Sequence, residues 1–311
     1  MILTVTMNPS VDISYPIQEF KLDDVNRVDN VNKTAGGKGL NVARVVKQMG
    51  EDVLATGVLG GTIGDYIVQE LMKSDIQNNF LKINQESRNC IAILHDGKQT
   101  EILESGPTLS LEDGAAFLEK YDELLTGVSI VVISGSLPKG LDTGFYQGMV
   151  EMGREIGIPV IVDTSGESLR QVLLQNVKPY VIKPNITELS QLLGIEVEQS
   201  ISSLKQVLTN EWFHGIEWVV VSMGGDGAFV KHGTDYYRVT IPSIDVVNPV
   251  GSGDATVAGL ACALKQKQSV PDVLKIAMTT GMLNTMESGT GYIDRAKFSQ
   301  FFELVEVTKI D

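Results

Sequence analysis

Asn248-Pro-Val-Gly-Ser-Gly-Asp-Ala-Thr-Val-Ala-Gly259 is the stretch around which the rest of the chain can be organised. Residues 236–241, just upstream, read as a strand. Residues 255–265 are rich in Ala, Val and Leu without proline, which predicts a helix. Gly251, Ser252 and Gly253 then fall at the helix N-terminus, where unpaired N–H groups and the helix dipole favour an anion. Asp254 stands at the mouth of the same place. A carboxylate beside an anion hole repels a resting phosphate. It makes more sense handling a hydroxyl proton while the amides hold charge on a transferred group. Helix capping by Ser252 or Asp254 accounts for the same residues, so the remaining motifs must decide.

The chain has 311 residues, 43% hydrophobic and 21% charged, an ordinary globular composition. Its 25 Lys and Arg against 39 Asp and Glu give a net charge of −14, and no stretch concentrates the basic residues. Nucleic acid and anionic membrane are therefore poor partners, whereas a small anion held by a few local cations is not excluded. Cys90 and Cys262 give neither a disulfide framework nor metal-ligand spacing. The first nine residues lack the basic segment of a signal peptide, and no apolar run approaches a membrane span. The expectation is a cytoplasmic protein.

Strand and helix signals alternate. Residues 2–7, 53–58, 130–134, 160–163, 180–182 and 219–222 read as strands; residues 39–49, 65–73 and 142–156 read as helices. Uninterrupted apolar runs such as Ile130-Val-Val-Ile133 and Val219-Val-Val221 indicate strands buried on both faces, as in a parallel sheet covered by helices. Residues 12–34 and 88–104 break the rhythm with alternating and β-branched segments and read as a small β lid. The expected architecture is one α/β domain over residues 1–311, a doubly wound, mostly parallel sheet flanked by helices.

Ala35-Gly-Gly-Lys-Gly-Leu-Asn-Val-Ala43 places Gly36 and Gly37 ahead of a helix, with Lys38 adding a cation and Asn41 a two-way amide. The spacing is neither a Walker A loop nor a dinucleotide fingerprint. Asp12 follows the first strand, where open α/β sheets bind ligands, and a carboxylate there can accept from sugar hydroxyls. Arg27, Arg88 and Lys38 could surround a phosphate. Ser134-Gly-Ser-Leu-Pro138 puts small residues, Ser136 among them, at the end of a buried strand. Lys183-Pro-Asn-Ile-Thr-Glu188 brings Asn185 and Glu188 to one side of a starting helix, a pair suited to Mg²⁺ through water or to a capping box. Ser222-Met-Gly-Gly-Asp-Gly227 is a tight turn whose Gly224 and Gly227 let backbone lie along phosphates, or merely close a hairpin. Met278 and Met282, one helical turn apart, could flank an adenine or belong to the core.

These motifs, in this order, resemble the ribokinase-like (PfkB) sugar kinases: the Ala35–Ala43 and Asn248–Asp254 signatures, with Ser134-Gly-Ser-Leu-Pro138, Asn185-x-x-Glu188 and Ser222-x-Gly-x-x-Gly227 between them. The resemblance runs from Ile2 to about Arg295. Val5-Thr-Met-Asn-Pro-Ser-Val-Asp12, Val25-Asn-Arg27 and Lys38 are similar to the hexose-phosphate branch. The resemblance implies ATP, Mg²⁺, a lid often paired between subunits of a homodimer, and transfer to the C1 hydroxyl of D-tagatose 6-phosphate. A fructose phosphate is the alternative acceptor, and a non-catalytic sugar-phosphate sensor the alternative of another class.

Carried over residue by residue, it implies Asp254 as base and Gly251, Ser252 and Gly253 as the anion hole. Asp12, Gly36, Gly37, Asn41 and Ser136 would hold the sugar, and Lys38, Arg27 and Arg88 its phosphate. Lys183, Asn185, Ser222, Gly224, Gly227, Met278 and Met282 would hold ATP, and Asn185 and Glu188 the Mg²⁺. Asn248 stands where many members have Asp, which puts a monovalent-cation site there in question.

Overall fold

In the computed structural model, which describes residues 1–310, the chain opens with three strands, β1 (Ile2–Thr6), β2 (Ser10–Pro16) and β3 (Asn32–Gly36). There follow α1 (Lys38–Gln48), β4 (Val53–Gly60), α2 (Gly61–Lys73), β5 (Gln77–Asn78), β6 (Leu81–Ile83), β7 (Arg88–His95) and β8 (Lys98–Leu103). The middle of the chain is α3 (Leu111–Leu124), β9 (Ile130–Ser134), α4 (Phe145–Glu155), β10 (Val160–Asp163), α5 (Gly166–Leu174), β11 (Val181–Ile182), α6 (Ile186–Leu193) and α7 (Ile201–Val207). It closes with β12 (Trp218–Ser222), β13 (Ala228–His232), β14 (Asp235–Thr240), α8 (Ser252–Lys265), α9 (Val270–Thr285), α10 (Phe298–Leu304) and β15 (Glu306–Ile310).

The main sheet runs β15-β14-β13-β12-β11-β10-β9-β1-β4-β5, with β6 pairing β4. From β12 to β5 every pairing is parallel, while β13, β14 and β15 add an antiparallel edge. Successive residues of the central strands feed opposite cores, as a period of two requires. Ile130 and Val132 join the layer formed with α1, α2, α8 and α9; Val131 and Ile133 join that of α3, α4 and α5. Trp218 and Val220 divide from Val219 and Val221 in the same way. Burial on both faces explains why these segments are apolar throughout.

A second sheet of four strands runs β3-β2-β7-β8, drawn from the two stretches that break the α/β rhythm. Residues 7–9 pass between β1 of the main sheet and β2 of the smaller one, so the smaller sheet stands over the end where β1 stops. Because β1, β9, β10, β11 and β12 are mutually parallel, their C-terminal ends share one edge of the main sheet. Thr6, Ser134, Asp163, Lys183 and Ser222 lie at that edge, and α1 and α8 begin there.

Candidate active site

A cleft of about 1970 Å³ lies between the strand ends and the small sheet. It exceeds the several hundred Å³ of a site for one small ligand and has room for two substrates side by side. Asp12, Gly37, Lys38, Asn41, Arg88 and Ser136 line one part. Lys183, Asn185, Glu188, Ser222, Gly224, Gly227, Met278 and Met282 line another, and Gly251, Ser252, Gly253 and Asp254 are shared wall.

Helix α8 begins one turn earlier than the sequence pattern indicates, at Ser252, because Gly251 takes a left-handed conformation (φ 81°) as its N-cap. A Cβ at Gly251 would collide with the Thr290 methyl, so only glycine brings this backbone so close to residues 289–291. No side chain caps α8. Its first N–H groups therefore remain available to an anion. Capping by Ser252 or Asp254, the competing explanation of the motif, is absent. Asp254, in the first turn, is 6% exposed. Its Oδ2 accepts a 2.8 Å hydrogen bond from Nδ2 of Asn41, on α1.

Burial pushes the Asp254 carboxyl up to about 7, and the neighbouring charge of Asp163 adds to the rise. Asn41, Lys38 and Lys183 pull the other way. A group poised near neutrality is suited to taking a proton at physiological pH. Asp163 behaves differently: burial opposes its charge, but Lys183 Nζ at 3.5 Å, Lys38 Nζ at 4.0 Å and the Ser134 hydroxyl at 3.1 Å outweigh it. Its carboxyl stays below the ordinary range. Asp163 in turn is the main cause of the raised Lys38 ammonium, against the opposing effect of burial. Two lysines thus flank one buried carboxylate. A Cβ on Gly253 would lie 3.1 Å from Lys183 Nζ, which places this cation beside the helix terminus.

Asp12 sits on β2, its Oδ1 accepting from Ser10 Oγ at 2.7 Å. Burial raises its pKa, with Ser10, Arg44 and Arg88 opposing. Gly36, opposite Ser10 in the β2–β3 ladder, is not itself cleft lining. A Cβ there would strike the Asp12 carboxylate, so its contribution is room. Arg88 reaches the cleft but is braced, donating from Nε and Nη2 to the Asn8 carbonyl and from Nη1 to the Glu104 carbonyl. Arg27 is exposed in the long loop between β2 and β3 and does not line the cleft. That loop is tied locally, by Asn26 to Lys21, and not to the cleft wall. Of the three cations expected around the phosphate, Lys38 and Arg88 line the cleft of a single chain and Arg27 does not.

Asn185 and Glu188 form a complete capping box on α6: Asn185 Oδ1 accepts from Glu188 N at 2.8 Å and Glu188 Oε2 from Asn185 N at 2.9 Å. Glu188 Oε1 remains as an acceptor in the cleft. Among the described residues no group of three or more His, Cys, Asp or Glu gathers to cage a metal. One carboxylate oxygen with room for water fits Mg²⁺ that arrives with nucleotide phosphates, and does not fit a tightly caged ion. Gly224 begins a single 3-10 turn, and Gly227 (φ 84°) closes it into the β12–β13 hairpin. Met278 and Met282 line the cleft and belong to the core as well. Asn248 is occupied within its own turn and with the Ser288 carbonyl.

Three groups in the site carry no sequence signal of their own. Asp163 is visible only as the last residue of a strand. Asn8 lines the cleft, its Oδ1 buried and without a hydrogen-bond partner. Arg44, 5% exposed, touches the back of Asn41. No helix among the described residues is long and apolar enough to cross a membrane.

Comparison with known proteins agrees with this geometry. Residues 5–296 match the model of the pfkB family carbohydrate kinases. A protein of Staphylococcus epidermidis named tagatose-6-phosphate kinase is 53% identical over 310 residues, covering 100% of both chains. Among solved structures, one from Thermotoga maritima described as a possible 1-phosphofructokinase superposes with a TM-score of 0.90 at 26% identity, over 100% of both chains. Phosphofructokinase-2 of Escherichia coli, in complex with potassium, gives 0.89 at 26% identity, covering 97% of this chain and 98% of that one. The chain belongs to the pfkB family of carbohydrate kinases.

Proposed function

We propose that this protein transfers the γ-phosphoryl group of ATP to the C1 hydroxyl of D-tagatose 6-phosphate, giving the 1,6-bisphosphate. The observation that carries the chemistry is Asp254, buried at the uncapped start of α8 with its pKa near neutrality. The acceptor is chosen on the 53% identical full-length relative of that name. Asp254 takes the hydroxyl proton as the P–O bond forms, and the amides of Gly251, Ser252 and Gly253 hold the charge of the transferring group. Lys183 neutralises nucleotide phosphates on the other side of that group. Asp12, Asn41, Gly37 and Ser136 hold the sugar hydroxyls; Lys38 and Arg88 hold the 6-phosphate. Gly224, Gly227, Ser222, Met278 and Met282 form the nucleotide wall.

When bound, Mg²⁺ supplies charge neutralisation on the transferring phosphates. Glu188, and Asn185 through water, are the residues placed to hold it. The four-stranded sheet acts as a lid that excludes water, which would otherwise accept the phosphoryl group. Its Leu94 and Leu103, exposed on the cleft-facing side of the sheet, favour pairing of two copies through the lid. A cytoplasmic location belongs to the same reading.

The structural relatives named as phosphofructokinases favour a second acceptor, a fructose phosphate, at half the sequence identity. ADP release with Mg-ATP, compared by kcat/KM for D-tagatose 6-phosphate, fructose 6-phosphate, fructose 1-phosphate and ribose, tests the assignment. Highest efficiency with tagatose 6-phosphate is expected. Preference for a fructose phosphate keeps the chemistry and overturns the substrate.

A further inference from the structure

Arg44 is a charged side chain closed off from solvent, and none of the roles assigned so far uses it. Its guanidinium sits behind Asn41, one helical turn along α1, with Nη1 donating to Asn41 Oδ1 at 3.1 Å and to the Thr290 carbonyl at 2.8 Å. Nη2 donates to the Ala35 carbonyl at the end of β3. The Tyr292 ring covers the group, its centroid 5.0 Å from Cζ. Gln48, a turn further, binds the same loop, donating to the Gly291 carbonyl at 3.0 Å and accepting from Ile293 N at 2.8 Å. A Cβ on Gly291 would lie 2.6 Å from Nη1, so the loop closes on the guanidinium with only glycine to spare.

We infer that Arg44 is a positioning residue for phosphoryl transfer: it fixes which end of the Asn41 amide faces Asp254, and it holds residues 290–292 against the Gly251 turn. The first part follows from donor inventory. A guanidinium has donors only, so the amide end facing it must be the oxygen. The opposite end, the NH₂, is thereby turned to Asp254. That bond favours the ionised carboxylate, the form that can take a proton. With Arg44 removed, only the ionised carboxylate itself still favours this orientation of the amide. Its oxygen could then face Asp254, accepting from the protonated carboxyl and stabilising the form that cannot act as base. The second part follows from packing: Arg44 holds the Thr290 carbonyl, and the Thr290 methyl fills the space against Gly251.

The groups facing Asp254 are Asn41, Lys38 and Arg44 from α1, Asp163 from β10 and Lys183 from the end of β11. Around Arg44 stand Tyr292, Asp12, Asp254 and Glu70, with burial outweighing their charges to lower its pKa. Loss of the Arg44 charge alone would also raise the Asp254 pKa. The test must therefore separate field from amide orientation.

The inference rests on Asp254 as the base and deepens that reading. Its test is the pH profile of kcat for Arg44→Met, made both in the wild-type chain and in an Asn41→Ala chain, with melting temperature recorded for each. In the wild-type background the rising limb should move up by about one pH unit and kcat at pH 7 should fall roughly fivefold, with sugar-phosphate KM changed less. In the Asn41→Ala background only the smaller part of the shift that comes from the lost charge should remain, because there is no amide to orient. An equal shift in both backgrounds assigns the effect to charge and overturns the inference, as does an unmoved limb or a change confined to KM. If Arg44→Met does not fold, Arg44→Lys, which keeps the charge and loses the fork, carries the same comparison. The expected shift is smaller and again abolished by Asn41→Ala. Normal turnover in Asp254→Asn would instead refute the base itself, a separate outcome.

Discussion

Asn41 and Asp254, 213 positions apart in the chain, are joined by a single 2.8 Å hydrogen bond inside the cleft. One lies in the first turn of the helix that follows the small sheet, the other in the first turn of α8, whose terminus no side chain caps. The bond therefore ties the proposed sugar side of the site to the proposed base. It also donates to a carboxylate that burial would otherwise keep protonated, which makes the pair a control on the pH at which the site works.

Turnover should consequently rise with pH along a limb governed by Asp254, with an apparent pKa close to 7 and not near the 4 of an exposed carboxylate. Asn41→Ala removes the one hydrogen bond that favours the charged form and should move that limb to higher pH. Initial rates between pH 5.5 and 9, at saturating ATP and sugar phosphate, measure both.

Stability carries the same signature with a definite sign. The folded-state pKa of Asp254 lies above its unfolded value near 3.8, so its favourable contribution is present below that value. It is lost as pH climbs through about 7. Asp254→Asn cannot ionise and escapes the loss. Relative to wild type, the variant should gain stability between pH 5 and pH 8, by roughly 2–3 kcal/mol. Urea unfolding at the two pH values reads the difference; a variant whose relative stability does not change with pH contradicts the assigned burial.

The proposed anion hole depends on the Gly251 turn. Gly251→Ala places a Cβ against the Thr290 methyl at a positive φ. It should lower kcat by about 10²–10³ with little change in sugar-phosphate KM. Steady-state kinetics with both substrates varied would show whether the loss falls in kcat, as expected, or in binding.

Arg88 and Lys38 should separate from Arg27. Arg88→Ala removes a cleft cation and three hydrogen bonds to the Asn8 and Glu104 carbonyls. A rise of roughly tenfold or more in sugar-phosphate KM is expected. Arg27→Ala, exposed on the β2–β3 loop, should leave the KM of an isolated chain nearly unchanged. Equal effects at the two positions would mean that Arg27 reaches a phosphate by some route other than its own cleft.

The sheet was legible in the sequence wherever a strand is buried on both faces. Ile130–Ser134 and Val160–Asp163 have the expected limits because an unbroken apolar run has no other use in a helix-covered sheet. β15 was not read: Glu306, Thr308 and Lys309 give an edge strand a polar surface, and pairing with β14 is a long-range fact. α3 was missed although Ser110 and Asp113 form a capping box, because residues 104–110 obscure where the lid strands stop.

The site was legible through its glycines, whose spacing records backbone approach. Its supporting charges were not. Asp163 and Arg44 matter through partners on other strands and loops, distances that no local pattern contains. The Asn185 and Glu188 pair shows the reverse limit: one spacing serves both a helix cap and a metal ligand, and here the cap is made while one oxygen stays available.

The central claim is that Asp254 takes the acceptor's proton during phosphoryl transfer. The most direct measurement is single-turnover phosphorylation of D-tagatose 6-phosphate by Asp254→Asn at pH 7.5, with ATP affinity measured on the same preparation. The account predicts unchanged ATP affinity and a rate reduced by about 10²–10⁴. A rate within a few-fold of wild type would contradict it and leave Asp254 a buried carboxylate that only supports α8.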